Sequence, residues 1–266
     1  MLGTRVWTAV GLVLVLALVL FVLPEPVAIG SLAVLILAGA WEWSALAGFS
    51  QGAARAGYVL ACGAAMCGLW LATGDAGGFE RAMVVTMAGW MPLFGWILFA
   101  PRRSLPALAA IAGLWALAPT WLALARLYQQ EQGELLVIFA LLLAWFADIG
   151  AYFAGRRFGR LPLAPVVSPN KTWEGVLGGL AGGLVIAFAA LAWLELPPLA
   201  FLSLCIAAVL ASVVGDLLES MFKRQRGFKD SGSLLPGHGG ILDRIDSLTA
   251  SVPLLALGLG WLGVLA

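Results

Sequence analysis

Apolar residues run along this chain in long unbroken blocks, separated by short clusters of proline, glycine and charge. The blocks cover roughly 6–23, 27–49, 56–74, 82–100, 105–127, 134–155, 173–194, 198–217 and 247–265. A helix needs about 20 mostly apolar residues to cross a hydrocarbon core. The breaks carry turn formers, among them Pro24-Glu25-Pro26, Gly74-Asp75-Ala76-Gly77-Gly78, Pro101-Arg102-Arg103 and Pro197-Pro198. The pattern predicts an all-α polytopic membrane protein with about nine transmembrane helices. The run 6–23 follows Arg5 as a signal peptide would, but no small-residue cleavage site succeeds it, so it reads as a retained first helix.

Composition agrees and excludes other classes. Hydrophobic residues make up 62% of the 266 positions and charged residues 11%, with a mean hydropathy of +1.00. Soluble domains carry about 25% charged residues. A formal net charge of +1 gives no basis for nucleic-acid binding. With the N-terminus cytoplasmic, every Lys and Arg except Arg81 and Arg126 falls on the cytoplasmic side, as the positive-inside rule requires. Cys62, Cys67 and Cys205 lie inside apolar runs and read as small buried hydrophobes, not a disulfide or metal set. The 12 Trp suggest interfacial belts. Residues 1–130 read as about five N-terminal transmembrane helices, and 131–266 as a catalytic transmembrane region.

Charge gathers where the apolar pattern gives way. The segment 216–246 holds Asp216, Glu219, Lys223, Arg224, Arg226, Lys229, Asp230, Asp243, Arg244 and Asp246, with His238, the single histidine, among them. Asp216 and Glu219, like Asp243 and Asp246, are three apart and share a face if helical. Clustered carboxylates beside a phosphate substrate suit Mg²⁺, and lysine and arginine neutralise phosphate oxygens. Gly237, Gly239 and Gly240 let backbone N–H groups approach an anion. Taken alone, these residues point equally to phosphoryl or nucleotidyl transfer on a lipid, and to a transporter gate or salt-bridged loop. A transporter predicts an internal repeat and midplane charge; no repeat occurs, and the acids lie at one end of the spans.

The string 220–246, SMFKRQRGFKDSGSLLPGHGGILDRID, resembles the signature of the phosphatidate cytidylyltransferase family. Ser220, Lys223, Arg224, Lys229, Asp230, Gly232, Pro236, His238, Gly239, Gly240, Asp243, Arg244 and Asp246 meet its fixed positions. Ala147-Asp148-Ile149-Gly150-Ala151-Tyr152, Ser168-Pro169-Asn170-Lys171-Thr172-Trp173-Glu174-Gly175 and Gly215-Asp216-Leu217-Leu218-Glu219-Ser220 are similar to further segments of that family. The likeness covers the chain from about residue 140; upstream, Trp41-Glu42-Trp43 is a weak addition.

The resemblance implies condensation of CTP with phosphatidic acid to CDP-diacylglycerol and pyrophosphate. The expected place is a polar cavity at the cytoplasmic side of the C-terminal half, in a multi-pass protein of the cell inner membrane. It implies Mg²⁺ held by Asp216, Asp243 and Asp246, and associates a monovalent cation such as K⁺ with it. Lys223, Arg224 and Lys229 would meet the CTP phosphates, and Lys171, oriented by Glu174, a phosphate of CTP or lipid. Asp148, Ser168, Ser220, Asp230, His238, Gly239, Gly240 and Arg244 complete the expected substrate-binding set. A homodimer is expected from the family only.

Plainer readings stand beside these. Asp148 also fits an intramembrane polar residue tied to a neighbouring helix, and 168–170 a turn and cap for the seventh span. Arg156, Arg157 and Arg160 fit topology signals, and Glu42 a structural role as well as a functional one. A CDP-alcohol phosphotransferase would need Asp-Gly-x-x-Ala-Arg, which is absent. A polyprenol or dolichol kinase would release CDP instead of pyrophosphate.

Overall fold

Among the described residues, seven helices are long and apolar enough to cross a membrane: α2 (Glu25–Leu46), α3 (Gly52–Ala72), α4 (Ala76–Phe99), α5 (Pro106–Tyr128), α6 (Gly133–Phe158), α7 (Trp173–Leu194) and α8 (Pro198–Gln225). The computed structural model describes residues 2–232, 234 and 239–265. Helices α1 (Leu2–Phe21), α9 (Leu242–Ile245) and α10 (Leu248–Trp261) complete the order, with a two-stranded hairpin before α7.

The last expected span is a different object. Helix α10 has 14 residues, a rise of about 21 Å, too little for a bilayer. Nearly all of 248–259 is buried, packed against α4, α5 and α8. A helix buried by protein and a helix facing lipid are equally apolar, so hydropathy alone does not separate them.

Helix starts follow local chemistry. Proline occupies the first turn of α2, α5 and α8, where its missing N–H is no loss. Asp75 caps α4 by accepting from Gly78 N at 2.7 Å, and Thr172 caps α7 by accepting from Gly175 N at 3.1 Å. Strands β1 (Pro162–Ala164) and β2 (Ser168–Thr172) pair antiparallel, with Pro162 opposite Thr172 and Ala164 opposite Ser168. Residues 168–170 are therefore strand, and the cap lies two residues later. Glycine lets α6 and α7 approach backbone to backbone: a Cβ at Gly178 would collide with the Ala154 Cβ and the Gly150 carbonyl.

One end of the bundle collects the charge. Arg226, just past α8, donates to Leu46 O at 3.0 Å and Ala47 O at 2.9 Å, at the end of α2. Gln225 donates to Pro101 O at 2.9 Å, beyond α4, and Arg55 on α3 to Trp41 O at 2.7 Å. Lys171, before α7, pairs with Asp216 on α8. Arg126 lies at the opposite end, donating to Thr73 O.

Many tryptophans act as ties between helices. Trp43 donates to Ala109 O at 2.8 Å, Trp115 to Thr86 O at 3.1 Å and Trp121 to Ile29 O at 3.3 Å. Cys62 and Cys205 are buried as expected, whereas Cys67 is exposed on α3; all three thiols are free.

Candidate active site at the charged end of the bundle

Asp216 and Glu219 sit one turn apart near the end of α8, and Asp246 follows α9. One carboxylate oxygen from each lies within 4.8 Å of the others. Helical spacing brings the first two onto one face. Gly215 brings the third: a Cβ there would lie 2.5 Å from Asp246 O and 2.8 Å from Thr249 Oγ1. The start of α10 therefore rests directly on the α8 backbone. Glu219 is fully buried and Asp246 is 8% exposed. Ser247 N donates to Asp246 Oδ1 at 2.7 Å. Burial, reinforced by the charges of Asp216 and Glu219, holds the Asp246 carboxyl well above its ordinary value.

Lys223, one turn beyond Glu219, divides its ammonium between Glu219 Oε2 at 2.5 Å and Asp243 Oδ1 at 2.7 Å. Asp243 Oδ2 also accepts from Ser231 N at 3.1 Å and Gly240 N at 2.8 Å. Burial opposes its charge, but Lys223 and the two N–H groups outweigh that and hold its carboxyl below the usual range. Asp243, expected in the metal set, is thus directed to Lys223 and the loop amides, and Glu219 stands in the carboxylate cluster instead. Four carboxyl groups gather around only two ammonium groups, those of Lys223 and Lys171. An excess of this kind in a buried site is the donor set a hard divalent cation takes.

Other expected residues are spread around this centre. Ser220 Oγ donates to Asp216 Oδ1 at 3.2 Å. Asp148, Lys171 and Asp216 line a cavity of about 300 Å³ between α6, α7 and α8, whose remaining wall includes Ala151, Val176, Val209 and Val213. Ser168, at the start of β2, is half-buried. Glu174, expected to orient Lys171, instead accepts from Arg160 N at 3.1 Å and Leu161 N at 3.2 Å, closing the turn after α6. Arg224, Lys229, Asp230 and Arg244 are exposed. Arg224 donates to Phe228 O at 3.3 Å. Gly239 has φ +81° and lies against Asp243 Oδ2, a conformation and a spacing that suit glycine. His238, with Pro236 and Gly237, lies outside the described residues.

Glu219 was legible in its three-residue spacing from Asp216 but stood outside the expected ligands. Glu42 gave only the weak Trp41-Glu42-Trp43 signal, yet it is 2% exposed and accepts from Ser231 Oγ at 3.1 Å and Leu242 N at 2.8 Å.

A carboxylate cluster suited to a cation, flanked by lysines and set at one end of an apolar helical bundle, is an arrangement that a membrane enzyme for a phosphorylated substrate can use. The sequence profile of the cytidylyltransferase family matches residues 3–261. The phosphatidate cytidylyltransferase of Pseudomonas aeruginosa is 41% identical over 84% of this chain and 85% of its own. That of Haemophilus influenzae is 38% identical over 95% and 96%. That of Brucella suis is 46% identical over 55% of each chain. The chain belongs to the cytidylyltransferase family and is a nucleotidyltransferase of phospholipid synthesis.

Proposed function

We propose that the chain transfers the cytidylyl group of CTP to phosphatidic acid at the carboxylate cluster, giving CDP-diacylglycerol and pyrophosphate. The observation that carries this is the meeting of Asp216, Glu219 and Asp246 with Lys171 and Lys223 beside a cavity with apolar walls. Nucleotide chemistry needs the first part and a lipid substrate the second.

A lipid phosphate oxygen attacks the α-phosphorus of CTP, and the bond to the β-phosphate bridging oxygen breaks as pyrophosphate leaves. The nucleophile is already anionic near neutral pH, so positioning and charge neutralisation carry the step. Asp216 and Asp246, with Glu219, suit Mg²⁺, which when bound supplies positive charge to phosphate oxygens. Lys171 holds Asp216 now and turns to a substrate phosphate when one arrives. Arg224 and Lys229, exposed in the segment that follows Lys223, meet the triphosphate. Asp148 contributes a polar wall to the cavity together with Lys171 and Asp216. The charged end of the bundle faces the cytoplasm, where CTP is found, in line with the basic residues gathered there.

Purified protein in detergent, given CTP, Mg²⁺ and phosphatidic acid, is expected to form CDP-diacylglycerol and pyrophosphate. Asp246→Asn is expected to lose at least 100-fold, because it removes a cation ligand. Release of CDP in place of pyrophosphate, or an unaffected Asp246→Asn, overturns the proposal.

A further inference from the structure

Helix α2 belongs to the half of the chain outside the motif-bearing region, yet its last turns hold the catalytic segment at several points. Glu42 is 2% exposed and has no Lys or Arg salt bridge among the described residues. Its Oε2 accepts from Ser231 Oγ at 3.1 Å and Leu242 N at 2.8 Å. Those two residues bracket the loop 232–241, which carries the glycines of the motif. A Cβ at Gly232 or Gly240 would collide with the Glu42 carboxylate, so both loop arms close directly upon it. Glu42 Oε1 has no hydrogen-bond partner among the described residues. Burying a carboxylate with its hydrogen-bonding capacity incompletely used is costly, and packing alone would be served as well by leucine.

The rest of the contact agrees. Arg226 caps the last carbonyls of α2, and a Cβ at Gly48, φ +97°, would strike its guanidinium. Trp43 packs edge-on to Phe222, with ring centroids 5.6 Å apart. Gly39 leaves room for Ile245, on the turn between Asp243 and Asp246. Segment 222–245 is therefore fastened to the end of α2 before, within and after its loop.

We propose that Glu42 is a positioning residue for cytidylyl transfer. It clamps Ser231–Gly232 on one side and Gly240–Leu242 on the other, so that the N-terminal helices set the geometry in which Asp243 holds Lys223 beside the carboxylate cluster. The inference rests on reading the segment around Lys223, Lys229 and Asp243 as part of the CTP site, and the test separates failure of the one from failure of the other.

The full chain is purified in detergent as parent, Glu42→Ala, Glu42→Gln and Ser231→Ala. Tryptic cleavage after exposed Lys229 reports the loop without reference to activity. Kinetics with CTP and phosphatidic acid report the site. Glu42→Ala is expected to be cut at least 10-fold faster and to raise KM for CTP 10- to 100-fold, the usual loss when a supporting hydrogen bond is removed. KM for phosphatidic acid is expected to stay within about 2-fold. Glu42→Gln, which keeps an acceptor oxygen for Leu242 N, is expected to recover most of the loss. Ser231→Ala removes one of the two bonds and gives a smaller effect if Glu42→Ala does not fold. Unchanged cleavage in both alanine variants overturns the clamp. Faster cleavage with KM for CTP unchanged overturns the positioning role, because a smaller active fraction lowers kcat and leaves both KM values alone. Lys229→Ala with unchanged KM for CTP, the clamp being intact, counts instead against this segment as a CTP site.

Discussion

Gly215→Ala is the smallest change that should separate the carboxylates. The added Cβ would lie 2.5 Å from Asp246 O and 2.8 Å from Thr249 Oγ1, where real contacts do not fall below 3.0 Å. Neither neighbour yields easily. The first is backbone, and Thr249 Oγ1 is held by Asp246 O at 2.5 Å. Helix α8 must therefore move by about 0.5–1 Å from the start of α10, carrying Asp216 and Glu219 away from Asp246. A displacement of about 1 Å in a positioned site costs roughly 100-fold in rate. Overpacking a filled interior costs about 1–3 kcal/mol. At about 2–4 °C per kcal/mol for a chain of this size, the expected fall in Tm is about 2–12 °C. The assay is CDP-diacylglycerol formation under saturating CTP, with thermal unfolding in the same detergent. Gly68→Ala on α3, where the new Cβ meets nothing within 4 Å, is the control and should match the parent. Parental kcat and Tm in Gly215→Ala would refute the close approach of α8 and α10 as the device that assembles the cluster.

Other outcomes follow from the same geometry. Lys223→Met leaves Glu219 and Asp243 without their shared cation and should cost about 3–5 kcal/mol of stability; adding Glu219→Gln should recover part of it in a double-mutant cycle by thermal unfolding. The Asp246 carboxyl, held above its ordinary value, binds a proton that a cation must displace. Apparent Mg²⁺ affinity should therefore fall as pH drops through that raised value, with proton release on binding. Calorimetry in buffers of different ionisation enthalpy checks this, and a pH-independent affinity without proton release would count against it. Thr172→Ala removes the α7 cap beside Lys171 and should lower stability by about 1 kcal/mol, a fall in Tm of about 2–4 °C, with activity reduced less than 10-fold.

The apolar blocks alone specified a helical membrane protein, because a bilayer forces every backbone polar group into local hydrogen bonds and leaves little else possible. Charge spacing and the string 220–246 drew attention to Asp216, Lys223, Asp243 and Asp246 as candidates before any geometry was known. Three things were beyond the sequence. Hydropathy does not distinguish burial by protein from burial by lipid, so α10 read as a span. Spacing of three put Asp243 and Glu219 on an equal footing as ligands. Only the fold directs Asp243 to Lys223 and the amides of Ser231 and Gly240, leaving Glu219 beside Asp216 and Asp246. Glu42 lies 200 positions from Leu242, and no local pattern encodes a contact at that separation. The sequence determined which groups are available and which solvent surrounds them; the packing of α2 and α10 against α8 decided which of those groups meet, because a side chain's partner is set by the helix opposite it.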